Sequence, residues 1–581
     1  MLAAAVALPL NGGGPLPEDI DLLVVGAGAG GMTAALVAAL EGLRVVVCEA
    51  SDQVGGTTAT SAGTLWAPGN LHGASAGHTD SIDAAARYLE ALIGPDDARG
   101  LRRAFLESAP EALEYLEARS AVKFASSGKH PDYLPLDGAA VAGRAVSPLP
   151  FDGRVLGRDF ARIRPPIAPF MLLGGMMVGK TDIGALVRRF SAWPDFLHSA
   201  RLVTRYAADR LRYPRGTRLV MGNALVARLY HSLREAGVEL RFGWRLRDVH
   251  VRGGRAVGAS FDTPQGPAHV TARTGVVLAT GGVGHDARLR DELAPGGAAI
   301  ASLACETVRG DGLRAARGAG AQLEQHRPAN FFWQPVSVVP RRTGQDELFP
   351  HLFLDRAKPG LIAVGPDGGR FVNEAASYHH FVEGMLRAQA TPAREKTWIV
   401  CDAQFIRRYG LGVIPPGTRR LSRWAERGYI ACAPTLRELA RAVGIEEAGL
   451  LATVSRSNGF AETGLDLDFA KGETELDRFN GDSTHGPNPC LGPLLRPPFC
   501  ALEIRAADAA SSAGLATDSD GQVLGDDGAP LAGLYACGND AASVMRGAYP
   551  GPGTTLGPAM VFGWRIGRHA ALRRIESSSR P

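Results

Sequence analysis

The feature that most constrains this chain is a glycine-rich turn near its start, between an apolar strand and a helix of small residues. Residues 21–25 (DLLVV) predict a buried strand, GAGAGG follows, and the stretch to about Leu43 predicts a helix. A second apolar strand over 44–48 ends at Glu49, about twenty residues after the turn. Strand, glycine turn, helix, strand and acid together form a dinucleotide-binding unit, so we expect an α/β fold.

Each glycine of this turn has its own task in such a unit. Gly26 permits the tight turn, Gly28 lets a pyrophosphate approach the backbone, and Gly31 lets the helix pack on the sheet. Gly30 lies in the same turn, where the helix N-terminus faces the phosphate charge. Glu49 can accept both ribose hydroxyls. The turn predicts a bound dinucleotide but does not distinguish FAD from NAD.

The composition excludes several classes of protein. Apolar residues make up 45% and charged residues 21% of the 581 positions, which rules out a disordered, collagen-like, coiled-coil or multi-span membrane chain. The 63 basic and 59 acidic residues nearly balance, so net charge argues neither for nor against a nucleic-acid partner. The length allows more than two domains but sets no count.

Cysteine usage and the first residues bear on location. The seven cysteines are irregularly spaced without a C-x-x-C pair, which favours reduced thiols in a cytoplasm and predicts no metal centre. The start, MLAAAVALPLNGGG, has no Lys or Arg before its apolar run, so we expect a flexible tail rather than a signal peptide. Since no segment approaches ~20 uninterrupted apolar residues, we expect no transmembrane helix.

Two stretches leave membrane contact open. The apolar run 170–178 (FMLLGGMMV) is too short to span a bilayer; it can pack in the core, line an apolar cavity or touch a membrane. The arginine-rich stretch 201–218 predicts a solvated helical face, with weak peripheral attachment to an anionic membrane as the alternative. No aromatic–basic motif accompanies it, so we expect no nucleic-acid partner.

A second glycine-rich loop and three later segments point to FAD. Residues 55–63 (GGTTATSAG) resemble the loop that wraps pyrophosphate and flavin in the fumarate reductase and succinate dehydrogenase class. A predicted hairpin over 241–257, the segment 275–282 (GVVLATGG) and the segment 533–539 (GLYACGN) resemble further cofactor elements of that class. The resemblance implies FAD contacts, beyond those of the first turn, from Gly55, Gly56, Thr57, Thr58, Ser61, Gly63, Val249, Ala279, Thr280, Gly281, Gly538, Asn539, Thr555 and Leu556. No histidine is placed like the linked one of the family, so we expect non-covalent FAD.

The spacing of these elements predicts the domain order. Cofactor elements near positions 26, 55, 280 and 538 imply one Rossmann-like FAD-binding domain that is interrupted by a long insertion. We assign 1–18 to the tail, 19–334 to the first part of the FAD domain, 335–510 to an α+β cap and 511–575 to the return segment. The substrate is expected between the FAD domain and the cap.

Three segments resemble the 3-ketosteroid 1-dehydrogenases, flavoenzymes that introduce a 1,2 double bond into steroid ring A. They are 131–157, with DYLP and PLPFD, 370–378 (RFVNEAASY) and 546–557 (RGAYPGPGTTLG). The likeness extends from Asp21 to about Ala571. It implies a steroid substrate and an electron acceptor such as a quinone.

The same resemblance implies roles for four residues. Tyr378 matches the base that removes the C2 proton, and Tyr133 matches the tyrosine that supports this base. Tyr549 and the backbone N–H of Gly553 match the pair that polarises the C3 carbonyl, while flavin N5 takes the hydride from C1. The chemistry requires such groups, because a C–H beside a ketone becomes acidic only when charge on the oxygen is stabilised. A neighbouring phenol that donates a hydrogen bond also favours the phenolate of a base whose ordinary pKa is about 10.

Three other functions remain open at this point. A sister enzyme can oxidise the 4,5 bond of a saturated 3-oxosteroid, and a fumarate- or urocanate-type reductase can share the fold. Residues 325–335 and 501–514 lack the histidines expected of fumarate reductases, which argues against the second alternative. A flavin-carrying electron-transfer protein without its own substrate is the third.

Overall fold

The structure is a computed structural model, and it describes residues 16–17, 19–97, 99–188, 192–294, 300–326, 329–341, 346–353, 355–388 and 396–578. Most of the predicted tail over 1–18 lies outside the described residues. The strands are, in chain order, β1 Leu22–Val25, β2 Val45–Glu49, β3 Leu65–Trp66, β4 Phe124–Ser126, β5 Ala145–Pro148, β6 Phe151–Asp152, β7 Met171–Leu172, β8 Met176–Met177, β9 Arg218–Leu219, β10 Glu239–Phe242, β11 Arg245–Arg252, β12 Arg255–Thr263, β13 Gly266–Thr271, β14 Gly275–Leu278, β15 Ala301–Ser302, β16 Leu323–Glu324, β17 Phe331–Val339, β18 Glu347–Pro350, β19 Leu361–Val364, β20 Thr397–Asp402, β21 Ala431–Ala433, β22 Phe499–Ser511, β23 Gly514–Leu515, β24 Gln522–Leu524 and β25 Pro530–Ala536.

Helices cover the sheets and fill the stretches between them. They are, in chain order, α1 Ala29–Leu40, α2 Leu71–Ser75, α3 Ile82–Ile93, α4 Leu101–Arg119, α5 Lys180–Val187, α6 Trp193–Asp209, α7 Met221–Glu235, α8 Ala287–Leu293, α9 Asp311–Gly318, α10 Tyr378–Ala388, α11 Ala403–Tyr409, α12 Ser422–Ala425, α13 Leu436–Val443, α14 Glu447–Thr463, α15 Glu475–Asn480 and α16 Leu556–Ser578. Within the described ranges, no helix combines the length and apolar character that crossing a bilayer requires.

The first sheet is the parallel sheet that the glycine turn predicts. Its central strands run in the order β10-β2-β1-β14-β25, and each neighbouring pair is parallel. The three central strands β1, β2 and β14 are short, mainly apolar runs that are buried throughout, as in doubly wound α/β folds. The α/β fold class is therefore confirmed.

Glycines let the last helix lie directly on the first. A Cβ on Gly563 of α16 would lie 2.6 Å from the Gly30 carbonyl oxygen, and one on Gly567 would lie 2.7 Å from the Cβ of Val37. Only a residue without a side chain fits so close a helix contact. This packing brings the end of the chain back to the first cofactor turn.

The second sheet is mostly antiparallel and runs β18-β17-β22-β20-β19, with β15 and β21 also paired to β22. Apart from β15, its strands lie between residues 331 and 511. The predicted cap over 335–510 covers almost the same stretch, but those limits, like the other domain limits, stay a prediction. The sheet positions β17 and the loop after β18 beside the parallel sheet.

A mostly helical stretch lies between β2 and β10, and the sequence predicted only one part of it, the helical face over 201–218. The helix α6 covers this part as far as Asp209, and residues 210–218 are not helical. The whole stretch contains α2 to α7 and a small antiparallel sheet, β3-β5-β4. The apolar run 170–178 forms the hairpin β7–β8 here, with Met176 and Met177 buried. Its tip is not core: Leu172 is 42% exposed and Leu173 is 65% exposed, so the core interpretation is wrong there.

Candidate active site

Both glycine-rich loops border one cavity, which lies where β1, β14 and β25 end. Most of the predicted FAD-binding residues line it: Gly26, Gly28, Gly30, Glu49, Gly56, Thr57, Thr58, Ser61, Gly63, Ala279, Thr280, Gly281, Gly538, Asn539, Thr555 and Leu556. Ligands of open α/β sheets bind at this end, in the crevice outside the carboxyl ends of the strands. The structure thus gathers segments that are up to about 500 residues apart in a single cleft.

The chemistry of this cradle fits a dinucleotide. A Cβ on Gly28 would meet no protein atom within 4 Å, so the backbone there is open to the cavity. The carboxylate of Glu49 accepts the N–H of Ala27 at 2.8 Å and that of Ser51 at 2.9 Å, which fixes its orientation. Its remaining lone pairs can accept ribose hydroxyls. The residues present would therefore hold FAD through its pyrophosphate and ribose.

Three of the predicted contacts are not part of the cavity lining. A Cβ on Gly31 would lie 2.1 Å from the Gly26 carbonyl oxygen, so Gly31 serves helix packing. Gly55 has a φ of +111° and starts the turn of the second loop. Val249 pairs with Ala259 on the β11–β12 hairpin and packs against the core beside that hairpin. Its predicted contact with FAD stays a prediction.

Asp540 ties two cofactor turns together and was missed by the sequence analysis. Its fully buried carboxylate accepts the N–H of Thr280 at 2.5 Å and that of Gly282 at 2.8 Å. Burial raises the pKa of Asp540 to about 6, although these hydrogen bonds act in the opposite direction. The residue follows Asn539 directly in a G-N-D sequence, and this acid after the glycine was the available signal.

Three tyrosines meet at the other end of the cavity. The hydroxyls of Tyr133 and Tyr378 lie 3.2 Å apart. The ring centroid of Tyr549 lies 5.0 Å from that of Tyr378 and 5.6 Å from that of Tyr133. All three rings line the cavity, together with Gly553. The structure therefore brings together the four residues for which the resemblance implied catalytic roles.

The loop before Tyr133 is fixed by a buried charge cluster. Asp132 accepts hydrogen bonds from Trp66 Nε1 at 2.8 Å and from Arg144 Nη1 at 2.6 Å. The backbone N–H of Tyr133 donates to the carbonyl of Pro550 at 2.8 Å. These contacts join the tyrosine loop to the Tyr549 loop, so the positions of the two phenols depend on each other.

The backbone conformation and the close packing at position 553 require a glycine. Its φ is +94°, and a Cβ there would lie 2.5 Å from backbone atoms of Leu65 and Trp66. Its carbonyl accepts the N–H of Trp66 at 3.2 Å, whereas no acceptor for its own N–H occurs among the described residues. An unpaired N–H beside a cavity is a suitable donor to a ligand carbonyl.

The phenol cluster is dry. Burial raises the pKa of Tyr133, of Tyr378 and of Tyr549 well above the usual 10, because a phenolate loses its hydration there. Phe332 and Phe353 pack against these rings at centroid distances of 5.4 Å and 5.7 Å. Such a site strengthens hydrogen bonds to a ligand carbonyl, but it makes the tyrosines poor bases unless a further charge assists.

Aromatic and aliphatic side chains complete the cavity wall, and the sequence indicated only Phe170 among them, in the apolar run 170–178 for which a cavity wall was one interpretation. They are Ile167, Phe170, Leu303, Pro350, Leu352 and Phe353. None belongs to a recognisable motif, since an apolar residue in a loop carries no sign of which cavity it faces. The wall is suited to an apolar ligand.

Comparison with known proteins identifies the family. The family model described as FAD binding domain matches residues 21–556. The chain is 36% identical over 561 residues to a 3-oxosteroid 1-dehydrogenase of Mycolicibacterium smegmatis, with 94% of this chain and 96% of that protein covered. The chain belongs to the 3-oxosteroid dehydrogenase family of FAD-dependent oxidoreductases. The family and the cofactor that the motifs predicted are confirmed, and non-covalent attachment stays a prediction.

Two further proteins that are similar to this chain bear on the question of its substrate. A 4-oxocyclohex-2-ene-1-carboxylate 5-dehydrogenase of Sinomonas cyclohexanicum is 38% identical over 558 residues, covering 95% of this chain and 93% of that protein. The crystal structure of 3-ketosteroid delta1-dehydrogenase from Sterolibacterium denitrificans, in complex with 1,4-androstadiene-3,17-dione, matches with a TM-score of 0.88 and 35% identity. That match covers 96% of this chain and all of the other. Family members thus act on cyclic ketones of very different size.

Proposed function

We propose that this FAD-dependent oxidoreductase introduces the 1,2 double bond of a 3-oxosteroid. The observation that carries the proposal is the meeting of three phenols with the unpaired N–H of Gly553 in one apolar cavity. Tyr549 and Gly553 hold the C3 carbonyl oxygen and stabilise the charge that builds there. Tyr378 takes the proton from C2, with Tyr133 supporting its phenolate. FAD, when bound, accepts the hydride from C1.

The cavity wall favours a steroid over a small keto acid. The described residues that line the cavity include no arginine and no lysine, and His130 is the only basic side chain among them. A carboxylated cyclohexanone would bring an anion into this dry site without a strong cationic partner, which costs free energy. An uncharged steroid ketone fills the same apolar space without that cost.

Anaerobic flavin bleaching tests this substrate class. The oxidised holoenzyme is mixed with androst-4-ene-3,17-dione, with 4-oxocyclohexanecarboxylate and with a 5α-reduced 3-oxosteroid, and the flavin absorbance is followed. We expect rapid bleaching by androst-4-ene-3,17-dione, with the 1,4-diene as product. Bleaching by the keto acid alone would overturn the steroid assignment, and a 4-ene product from the 5α-reduced ketone would indicate the 4,5 reaction instead.

The same experiment addresses the other functions. If no ketone bleaches the flavin while fumarate oxidises the dye-reduced protein, the chain is a fumarate-type reductase. If neither occurs, it is a flavin-binding electron-transfer protein.

For the reoxidation half of the reaction we propose a quinone or another redox carrier as electron acceptor. Stopped-flow reoxidation of the steroid-reduced enzyme by a soluble quinone would test this acceptor. The cytoplasmic location expected from the cysteine pattern stays a prediction.

We also propose weak peripheral contact with a membrane through α6 and the β7–β8 hairpin. The outer face of α6 repeats apolar residues at helical spacing, from Trp193 and Phe196 to Val203, which are 70%, 40% and 41% exposed. Tyr206 of α6 donates to the carbonyl of Leu173 at 2.8 Å, which ties the exposed hairpin tip to the helix. Phe170 at the base of this hairpin lines the substrate cavity.

Charge supports this contact. Arg201 and Arg210 are exposed beside the apolar face of α6, and Leu211, just beyond the helix, is 86% exposed. An amphipathic helix with arginines beside its apolar face binds best to anionic lipid. A water-insoluble steroid dissolved in the bilayer would then lie close to the cavity.

Vesicle co-sedimentation tests the membrane proposal. We expect the holoenzyme to pellet with vesicles containing phosphatidylglycerol and to bind less to phosphatidylcholine alone. The double variant Trp193→Ser, Leu173→Ser should lose most of this binding, whereas Leu467→Ser, which changes a 76%-exposed leucine outside this surface, should not. Equal binding by all three proteins would exclude the surface.

A further inference from the structure

Arg356 is a buried arginine without a carboxylate partner. Its side chain is fully buried, and no ion pair to it occurs in the part of the chain that the structure describes. Instead, Nε donates to the carbonyl of His351 at 2.8 Å, and Nη1 donates to the carbonyls of Glu374 at 2.7 Å and Ala376 at 3.2 Å. Nη2 donates to the Leu352 carbonyl. Burying a charge without an opposite charge in contact costs free energy of folding, so the presence of a buried arginine at this position needs an explanation.

The position of the guanidinium supplies a reason. The carbonyls of Glu374 and Ala376 belong to the loop that ends at Tyr378, the first residue of α10. The guanidinium carbon lies 4.7 Å from the Phe381 ring centroid and 6.0 Å from that of Phe353. Phe353 in turn contacts the Tyr378 ring, with centroids 5.5 Å apart. The ring of Phe353 therefore lies between the cation and Tyr378, and the charge of Arg356 acts to lower the pKa of Tyr378 against the larger, raising effect of burial.

We propose that Arg356 is a positioning residue that holds the loop before Tyr378 and stabilises Tyr378 as a phenolate. This inference rests on the proposed function, in which Tyr378 is the base. The burial that dries the cluster disfavours a phenolate, and a fixed positive charge within the same dry region offsets part of that penalty.

The other charged groups nearby are already paired. Asp355 contacts His351, with Oδ2 and Nδ1 2.6 Å apart, and its pKa falls to about 2 because His351 and Arg356 outweigh the effect of burial. Glu374 points its carboxylate at Arg370 and Lys471. Asp355 and Glu374 act on Arg356 only through space, as Tyr133 and Tyr378 do, and none of them forms an ion pair with it among the described residues.

The remaining titratable groups around the cluster are two phenols, three histidines and the carboxylate of Glu383. Tyr133 and Tyr549 contact Tyr378 directly, and the His379 ring lies 5.7 Å from that of Tyr549 with Glu383 beside it. His380 is buried, and burial lowers its pKa to about 4. His130 lies on the cavity wall. Burial lowers the pKa of Arg356 only to about 10, so the guanidinium remains charged at neutral pH.

The pH dependence of turnover tests the proposal. In Arg356→Gln, the rising limb of kcat against pH should move upward by about one pH unit, and kcat near neutral pH should fall about tenfold. The matched control is Arg370→Gln, which loosens the same loop through the Glu374 carboxylate without removing the charge behind the phenols. We expect the control to lower kcat and melting temperature but to leave the limb in place. If the rising limb of kcat against pH is the same in Arg356→Gln as in wild type, the proposal is overturned.

Arg356→Lys keeps the test decisive if the glutamine variant does not fold. A buried lysine loses its proton at lower pH than arginine does, so its kcat should rise with pH and then fall, while the wild-type rate continues to rise. A lysine profile parallel to wild type would overturn the proposal. Ultraviolet difference titration of tyrosinate, compared with Tyr378→Phe, measures the phenolate without turnover. If no steroid bleaches the flavin of the wild-type holoenzyme, the proposed function is refuted. The tyrosinate titration then tests the role of Arg356 by itself.

Discussion

Tyr378 differs from an ordinary buried tyrosine because two other phenols face it in a cavity that also exposes a backbone N–H. Its hydroxyl lies 3.2 Å from that of Tyr133, and its ring lies 5.0 Å from that of Tyr549. The sequence predicted these residues from short motifs whose tyrosines stand beside turn-forming proline and glycine. It could not predict Arg356 or Phe353, because a buried arginine and a loop phenylalanine have no distinguishing pattern before the fold brings them behind the phenols.

Tyr378→Phe should lower kcat with a 3-oxosteroid by about 10²- to 10⁴-fold, the usual contribution of a positioned base. The ring and its packing remain, so flavin content and melting temperature should stay near wild type. Stopped-flow flavin reduction measures the loss. A variant that reduces its flavin at the wild-type rate would remove Tyr378 from the mechanism, and Tyr230→Phe, which changes a buried tyrosine outside the cavity, serves as control.

Side chains introduced at two glycines of the same turn should have different effects, one on FAD binding and the other on the stability of the fold. Gly28 has extended backbone and open space beside it, so Gly28→Val should leave the apoprotein folded but weaken FAD binding by at least about tenfold. Gly31→Ala places a Cβ 2.1 Å from a backbone oxygen and should destabilise the fold itself by about 1–3 kcal/mol. Flavin content and apoprotein melting curves separate the two effects, and equal melting temperatures would contradict the assignment.

At the scale of elements, the loop over 370–378 is held by charges that its own sequence only partly reveals. Glu374 is fully buried, with Arg370 bound to it through two hydrogen bonds of 2.8 Å and Lys471 at 3.1 Å. Asn373 Nδ2 donates to the carboxylate of Asp477 at 3.0 Å, so Asn373 braces the same loop. Lys471 comes from a distant stretch that no local pattern connects with the motif. Of the helices α2 to α7, the sequence indicated only α6, by its arginine-rich stretch, because none of these helices carries a cofactor motif.

Glu374→Gln should destabilise the protein by about 3–5 kcal/mol at pH 7, because it removes the carboxylate that pairs with buried Lys471 and leaves Arg370 paired with Asp466 alone. Burial raises the pKa of Glu374, but Arg370 and Lys471 outweigh that effect and lower it to about 2. The stability from this carboxylate is therefore complete above its unfolded pKa of about 4.3 and is lost as pH falls toward 2. Urea unfolding should show a large difference from wild type at pH 7 and a smaller one at pH 3. A difference that grows toward pH 3 would contradict this pKa direction.

At the scale of the whole molecule, both sheets border the cofactor cavity, and they also share one hydrophobic core, with Leu278 from the first sheet and Leu502 from the second. The parallel sheet supplies its glycine turns, and the second sheet supplies Gln334 and the loop with Leu352 and Phe353. The order of these parts was predictable, because each cofactor element has a motif and parallel strands share one binding edge. The limits of the insertion stay a prediction: β17 and β22 cross the expected boundaries by a few residues, and no change of composition marks those boundaries.

Removal of FAD should lower the melting temperature of the whole protein rather than of one part. A ligand that binds only the folded state adds about 2.7 kcal/mol at a free concentration of 100 times its Kd. Melting of the deflavinated protein over a series of FAD concentrations should therefore give a single transition that moves upward. Two transitions, of which FAD shifts only one, would mean that the second sheet folds independently of the cofactor.

The three phenols come from positions 133, 378 and 549, and the first two alone are 245 residues apart. A ribosome must therefore release almost the entire chain before the catalytic surface can exist, and no fragment that ends earlier can turn over a steroid. Two fragments cut in an exposed loop between α6 and α7 would regain activity only after they associate. In such a split protein, bleaching of the flavin by a steroid would report that the two fragments have assembled.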